Sequence, residues 1–201
     1  MKTYLTVNTI VYEDEIADVH AVIDRAKKEG VDAVIASDMA AILYARRIGQ
    51  EVHISTQSNI SNSEAVRFYA QWADTVVLAR ELSLEQVAAI RRRIVEDDIR
   101  GPRGELVEIE MFAHGALCMA YSGRCLLSGY INKRDPNQGT CTNACRWEYN
   151  VQEGKEDDVG NIVHKYEPIP VQNVEPTLGI GAPTDKVFMI EEAQRPGEYM
   201  T

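Results

Sequence analysis

The chain has 201 residues, 45% of them hydrophobic, enough to build a sizeable core without disulfide support. With 21 basic against 31 acidic residues its formal charge is −10, which excludes a bulk electrostatic grip on nucleic acid or anionic membrane and leaves room only for a local basic patch. No apolar run approaches the roughly 18 residues of a membrane-spanning helix, and the start, "MKTYLTVNTIVYEDE", lacks the zones of a signal peptide, so the expectation is a cytoplasmic protein.

In chain order, "YLTVNTIVY" (4–12) is β-branched and aromatic and predicts a strand. "EDEIADVHAVIDRAKKEG" (13–30) has helical spacing and stops at Gly30. "VDAVIAS" (31–37) predicts a buried strand, and "DMAAILYARRIG" (38–49) a helix from an acidic cap candidate to Gly49. "EVHISTQ" (51–57) predicts a strand, and "SNSEAVRFYAQWA" (61–73) a helix with Ser61 and Glu64 spaced as a capping box. "TVVLA" (75–79) predicts a strand, "SLEQVAAIRRRIVEDD" (83–98) a helix with Ser83 and Gln86 as a second box, and "LVEIEMFAH" (106–114) a fifth strand. "GPRGE" (101–105) predicts a surface turn.

Five strands alternating with four helices means parallel strands and crossover helices, an α/β fold. The pattern suits a doubly wound sheet or part of a (β/α)8 TIM-type barrel; a full barrel takes about 250 residues, so a partial or incomplete barrel is expected over 1–115. Residues 116–149 form a cysteine-rich segment, and 150–201 a loop-rich appendage with four prolines in 166–185 and a candidate strand at 186–193.

All four cysteines lie between Cys118 and Cys145, spaced C-x6-C-x15-C-x3-C. Three readings stay open on spacing alone. The thiols are small core residues, or ligands of structural zinc, or ligands of an iron–sulfur cluster. Only Cys141 and Cys145 approach a zinc knuckle, and a cluster, wider than one ion, accepts longer intervals.

In parallel α/β folds ligands sit at the C-terminal ends of strands. That rule selects Asn8, Ser37, Asp38, Gln57, Asn59, Arg80, Glu81 and His114. Arg80 suits a substrate carboxylate. Asp38 and Glu81 equally suit helix capping, Gln57 and Asn59 loop hydrogen bonds, and His114 either acid–base work or a loop hydrogen bond. His53, within a strand, is expected to be structural, His20 sits on a helix, and His164 lies in the appendage. Ser122 and Ser128 flank cysteines, yet no Gly-x-Ser-x-Gly elbow accompanies them. Lys133 and Arg134, with Arg124 and Arg146, make a candidate basic patch for RNA or a solvated loop.

"EMFAHGALCMAYSGRCLLS" (110–128) resembles the signature of the U-thirty-two (collagenase-like) peptidase family: Glu110, Phe112, Gly115-Ala116-Leu117-Cys118, Gly123, Cys125, Leu127 and Ser128. The continuation through 129–149 and 167–200 is similar to one branch, whose members make 5-hydroxyuridine at the wobble position of tRNA using prephenate. "STQSN" (55–59) and "RELS" (80–83) match the family more loosely. The resemblance implies a 4Fe-4S cluster, with Cys118, Cys125 and Cys141 at three ligand positions. Relatives acting on ubiquinone precursors hold the fourth well downstream, whereas here only Cys145, four residues past Cys141, remains. The signature's Glu110 and the strand-end residues His114, Arg80 and Glu81 are the candidate catalytic residues, and the strand-end residues Asn8, Gln57, Asn59 and Arg80 the candidates for holding the small acid. The partners implied are tRNA and prephenate, with no membrane, and a homo- or hetero-oligomer is allowed. The family also expects a barrel segment before residue 1 and a later "KIEGR"-type stretch, so the chain is expected to be a fragment or a shortened member. The rival expectations are a collagenase-like endopeptidase and a non-catalytic iron–sulfur scaffold or partner subunit.

Overall fold

The computed structural model describes residues 1–114, 118, 120–147 and 159, and the backbone of strands at 149–156, 162–168, 186–192 and 199–200. The chain divides into two compact units, Met1–Thr142 and Asn143–Thr201.

The first unit alternates strands and helices: β1 (Tyr4–Val7), α1 (Ile16–Lys28), β2 (Ala33–Ala36), α2 (Met39–Arg47), β3 (Glu51–Ile54), α3 (Ser63–Tyr69), β4 (Thr75–Val77), α4 (Leu84–Glu96), β5 (Glu108–Glu110) and a short α5 (Leu127–Asn132). Local chemistry sets the boundaries. Asp38 Oδ1 accepts from the Ala40 N–H at 2.9 Å and opens α2. Ser83 and Gln86 form the expected reciprocal box on α4, with bonds of 3.3 and 2.8 Å. On α3 the cap is Asn62, whose Oδ1 accepts from Ala65 N–H at 2.9 Å, rather than the expected Ser61. Gly30 and Gly49, both at φ +75°, take the left-handed conformation that ends α1 and α2.

The strands form one parallel sheet in the order β1-β2-β3-β4-β5. That sequential order lacks the reversal of a doubly wound sheet. The core takes alternate residues of the strands, including Val7, Val34, Ala36, Val52, Ile54 and Val76. These pack on Ile23 and Ala26 of α1, Ala41, Ile42 and Ala45 of α2, Val66 of α3, and Ile90 and Ile94 of α4. One parity of the strands therefore meets all four helices. The other parity (Thr6, Ile35, His53, Thr75, Val77, Glu110) makes up the opposite face.

The fifth strand is shorter than its pattern predicts. Leu106 pairs back with Arg100 in an antiparallel bridge, and Val107 N–H bonds Ile99 O at 3.0 Å, so the ladder with β4 begins only at Glu108. Residues 111–114 leave the ladder and line a cavity.

The second unit carries an antiparallel sheet in the order β7-β6-β8-β9, from β6 (Tyr149–Glu156), β7 (Ile162–Pro168), β8 (Lys186–Glu192) and β9 (Tyr199–Met200). The strand expected at 186–193 is β8. The charged stretch from 152, expected as loop, supplies the end of β6, whose partner β8 lies more than 30 residues away in sequence. Most of the proline-rich stretch falls at 169–185, outside the described residues. No helix among the described residues is long and apolar enough to cross a membrane.

Candidate functional site

The strand ends open onto a cavity of about 470 Å³ lined by Thr6, Asn8, Ile35, Ser55, Thr56, Val77 and residues 110–114. Three residues selected by the sequence, Asn8, Glu110 and His114, thus line one cavity. A second cavity of about 230 Å³ is bounded by Asn8, Ile10, Ser37, Asp38, Gln57, Arg124 and Asn137. Asn8 follows β1 directly and borders both spaces. Ser37 donates to the Asn8 carbonyl at 3.0 Å, and Asn8 Nδ2 donates to Ser55 Oγ at 3.4 Å. Asp38 is held on both oxygens, by Ala40 N–H and, at 3.3 Å, by Val11 N–H.

The cysteine segment is fastened to these strand ends. Its turn Tyr121–Gly123 lies against the loops that follow β3 and β4. Glu81 Oε1 accepts from Ser122 N–H at 3.0 Å, Ser122 Oγ donates to Asn59 Oδ1 at 2.6 Å, and Asn59 Nδ2 donates to the Tyr121 hydroxyl. The Ser122 amide holds the Glu81 carboxyl below its ordinary range, with Arg80 adding in the same direction against the opposing effect of burial. Gly123 stands at φ +71°, and a Cβ there would come within 3.3 Å of Arg80 Nη2 and 3.6 Å of Gln57 Cγ. Arg80 Nε and Gln57 Oε1 are buried with no hydrogen-bond partner among the described residues, which puts two opposite polar functions beside Gly123. Asn59 and Glu81 serve first as anchors of the segment.

Within the segment, Asn137 brackets Cys125: its Oδ1 accepts from Cys125 N–H at 3.1 Å and its Nδ2 donates to Cys125 O at 2.9 Å. Leu127 N–H points at Cys125 Sγ from 3.3 Å, and Ser128 Oγ lies 3.9 Å from Cys141 Sγ. Thr142 N–H donates to Ser128 Oγ at 3.1 Å. Gln138 Nε2 donates to Ile10 O at 2.7 Å and Ile10 N–H to Asn137 O at 3.3 Å, which ties the segment to the loop after β1. No disulfide joins the cysteines; Cys141 is exposed and the others half-buried. Cys118, Cys125 and Cys141 belong to the first unit, Cys145 and Arg146 to the second. Among the described residues no three His, Cys, Asp or Glu side chains stand within reach of one ion. The donor chemistry nonetheless fits a thiolate-bound centre: unoxidised sulfurs on short loops, two approached by N–H or O–H donors. Thiolate sites commonly close only as the metal binds.

Sequence reasoning missed how near His53, expected to be structural, stands to Glu110. His53 is 4% exposed, on the sheet face opposite the helices. Its Nδ1 lies 3.0 Å from Glu110 Oε1, without hydrogen-bond alignment, and its Nε2 3.5 Å from Glu51 Oε1. The Tyr4 ring packs 4.8 Å away. Strand alternation puts 53 and 110 on one face, a signal present in the sequence, but their approach across β4 needs the register. Asn137 was missed as well; only its place after Asp135-Pro136 marked a turn.

Comparison with known proteins places this geometry. The family model described as Peptidase family U32 matches residues 1–174. The chain is 61% identical over its whole length to "tRNA hydroxylation protein P" of Escherichia coli (strain K12), covering 43% of that protein. It is 48% identical to a "Collagenase" of Porphyromonas gingivalis (strain ATCC BAA-308 / W83), covering 49% of it. It is also 35% identical, over 99% of its length, to the "23S rRNA 5-hydroxycytidine C2501 synthase" of Escherichia coli (strain K12), covering 29% of that protein. The chain thus spans less than half the length of these relatives. No solved structure matches it.

Proposed function

The chain belongs to Peptidase family U32, and from that premise we propose that it acts in RNA hydroxylation, as part of an enzyme that 5-hydroxylates the wobble uridine of tRNA using prephenate. One observation carries the reading: the thiol-bearing segment is anchored at the strand ends through Glu81, Asn59 and Ser122, and its Arg124 and Asn137 border the smaller cavity there. Relatives named for hydroxylating tRNA and ribosomal RNA support it.

In this reading Cys118, Cys125, Cys141 and Cys145 hold a 4Fe-4S cluster. Such a centre supplies one-electron chemistry when bound. Leu127 N–H and Ser128 Oγ–H lower the charge felt on two of the sulfurs. Arg80 and Gln57 orient the small acid, with Asn8 beside them. Glu110, backed by His53, and His114 move protons at the wall of the larger cavity. The five parallel strands, with their helices on one face, form part of a TIM-type barrel wall. The protein works in the cytoplasm, where the thiols stay reduced.

A serine-peptidase reading finds less support. Ser122 Oγ donates to Asn59, and Ser128 Oγ lies against Cys141 and Thr142; among the described residues neither is bonded to a histidine. The test is nucleoside analysis of tRNA from cells lacking the gene. Loss of 5-hydroxyuridine, restored by the parent protein and not by Cys125→Ala, is expected; an unchanged level overturns the proposal.

A further inference from the structure

Resting on the RNA substrate proposed above, we infer that the outward side of the cysteine segment, from Tyr121 to Arg134, is a surface that grips single-stranded RNA. Charge supports this. Residues 118–147 hold four basic side chains and one acidic, the reverse of a chain whose net charge is −10. The one acid, Asp135, is engaged through Oδ1 with the Asn137 N–H at 2.8 Å. Arg124, Lys133 and Arg134 are exposed, and among the described residues no carboxylate pairs with them. Elsewhere Arg25, Arg67, Arg93, Arg100 and Arg103 each have a carboxylate partner, while Arg46 and Arg47 on α2 and Arg91 and Arg92 on α4 pair with none among the described residues. Cations left uncompensated in an acidic protein suit a polyanion.

The apolar part of the surface says which polyanion. Tyr121 is 65% exposed, Tyr130 63% and Leu126 79%. Tyr130 follows Leu126 by one helical turn, its N–H bonded to Leu126 O at 2.9 Å. Exposed rings next to cations grip unstacked bases, whereas a duplex keeps its bases stacked and out of reach. An anionic membrane would use the charge without needing the rings. Arg124 also borders the cavity shared by Asn8 and Gln57, so a strand lying on this surface leads toward the strand ends.

The experiment is fluorescence anisotropy of the full chain with a labelled oligouridine, over a range of salt. Three phosphate contacts predict that log K falls against log salt with a slope of about −2, since each contact on a single strand contributes roughly 0.7. Lys133→Ala/Arg134→Ala should weaken binding and cut the slope to about −0.7. Tyr130→Leu should lose roughly tenfold with the slope unchanged, while Tyr130→Phe keeps the affinity. A duplex of the same length should bind more weakly. The thermal midpoint of each variant is measured beside its affinity, so that a loss of binding is read from folded protein. A double variant that binds with the parent's affinity and slope, and restores 5-hydroxyuridine in cells lacking the gene, overturns the surface while the proposed function stands. Equal binding to duplex RNA or to vesicles rich in phosphatidylserine also overturns it. If the parent binds no RNA the surface fails, and the nucleoside analysis decides the function separately.

Discussion

The sheet-and-helix region and the cysteine segment are held together by different forces. In the first, Ile23, Ile42, Ile54, Ile94 and their neighbours are wholly buried, and the fold rests on apolar area removed from water. Among the described residues of the segment up to Thr142, the buried side chains are Ser122, Ser128 and Asn137, all polar. That segment is shaped by specific hydrogen bonds to backbone and sulfur, with little apolar core beneath it. A hydrophobic scaffold gives position; a hydrogen-bonded loop gives a surface that can close on a ligand at small cost.

Mutations can break or sharpen this contrast. The largest effect belongs to the core: Ile54→Ala should cost about 2–5 kcal/mol in urea denaturation, because it leaves a cavity between β3 and the helices. A change under about 1 kcal/mol would mean the sheet is not the stability core. Next is Asn137→Ala, which strands the Cys125 N–H and carbonyl and should cost about 1–3 kcal/mol. This loss should be local: hydrogen exchange should speed up across 121–142 while β2 and β3 keep their protection. Equal acceleration in the sheet would erase the distinction between the two regions.

The smallest effect concerns Glu81. Its folded-state acidity is strengthened by the Ser122 N–H, so its contribution is present above the ordinary carboxylate range and lost as pH falls through the lowered folded value. Exchange at Ser122 should therefore speed up, relative to the intrinsic rate, on acidification. Glu81→Gln should remove that pH dependence and cost about 1 kcal/mol or less. A pH response unchanged in Glu81→Gln would assign it to another group.

The same contrast explains what the sequence makes legible. The strands and helices announce themselves through periodicity, and the caps at Asp38 and Ser83 through local spacing, because those forces act between near neighbours. The capping box at Ser61 misled because Asn62, one residue on, has an equally good side chain. The anchoring of Ser122 by Asn59 and Glu81 joins residues 63 and 41 positions apart, and no local pattern encodes such a bond. His53 likewise looks like one more strand residue until the register brings Glu110 beside it. The four cysteines stood out by clustering alone.

The central proposal is that the clustered thiols hold one iron–sulfur centre. The most direct measurement is anaerobic reconstitution of the chain with iron and sulfide, followed by metal analysis and visible spectroscopy. The account predicts a brown protein with broad absorbance and about four iron atoms per chain, and loss of that absorbance in Cys125→Ala. A colourless chain that takes up one zinc ion instead, or a brown one whose iron content survives Cys125→Ala, would contradict it.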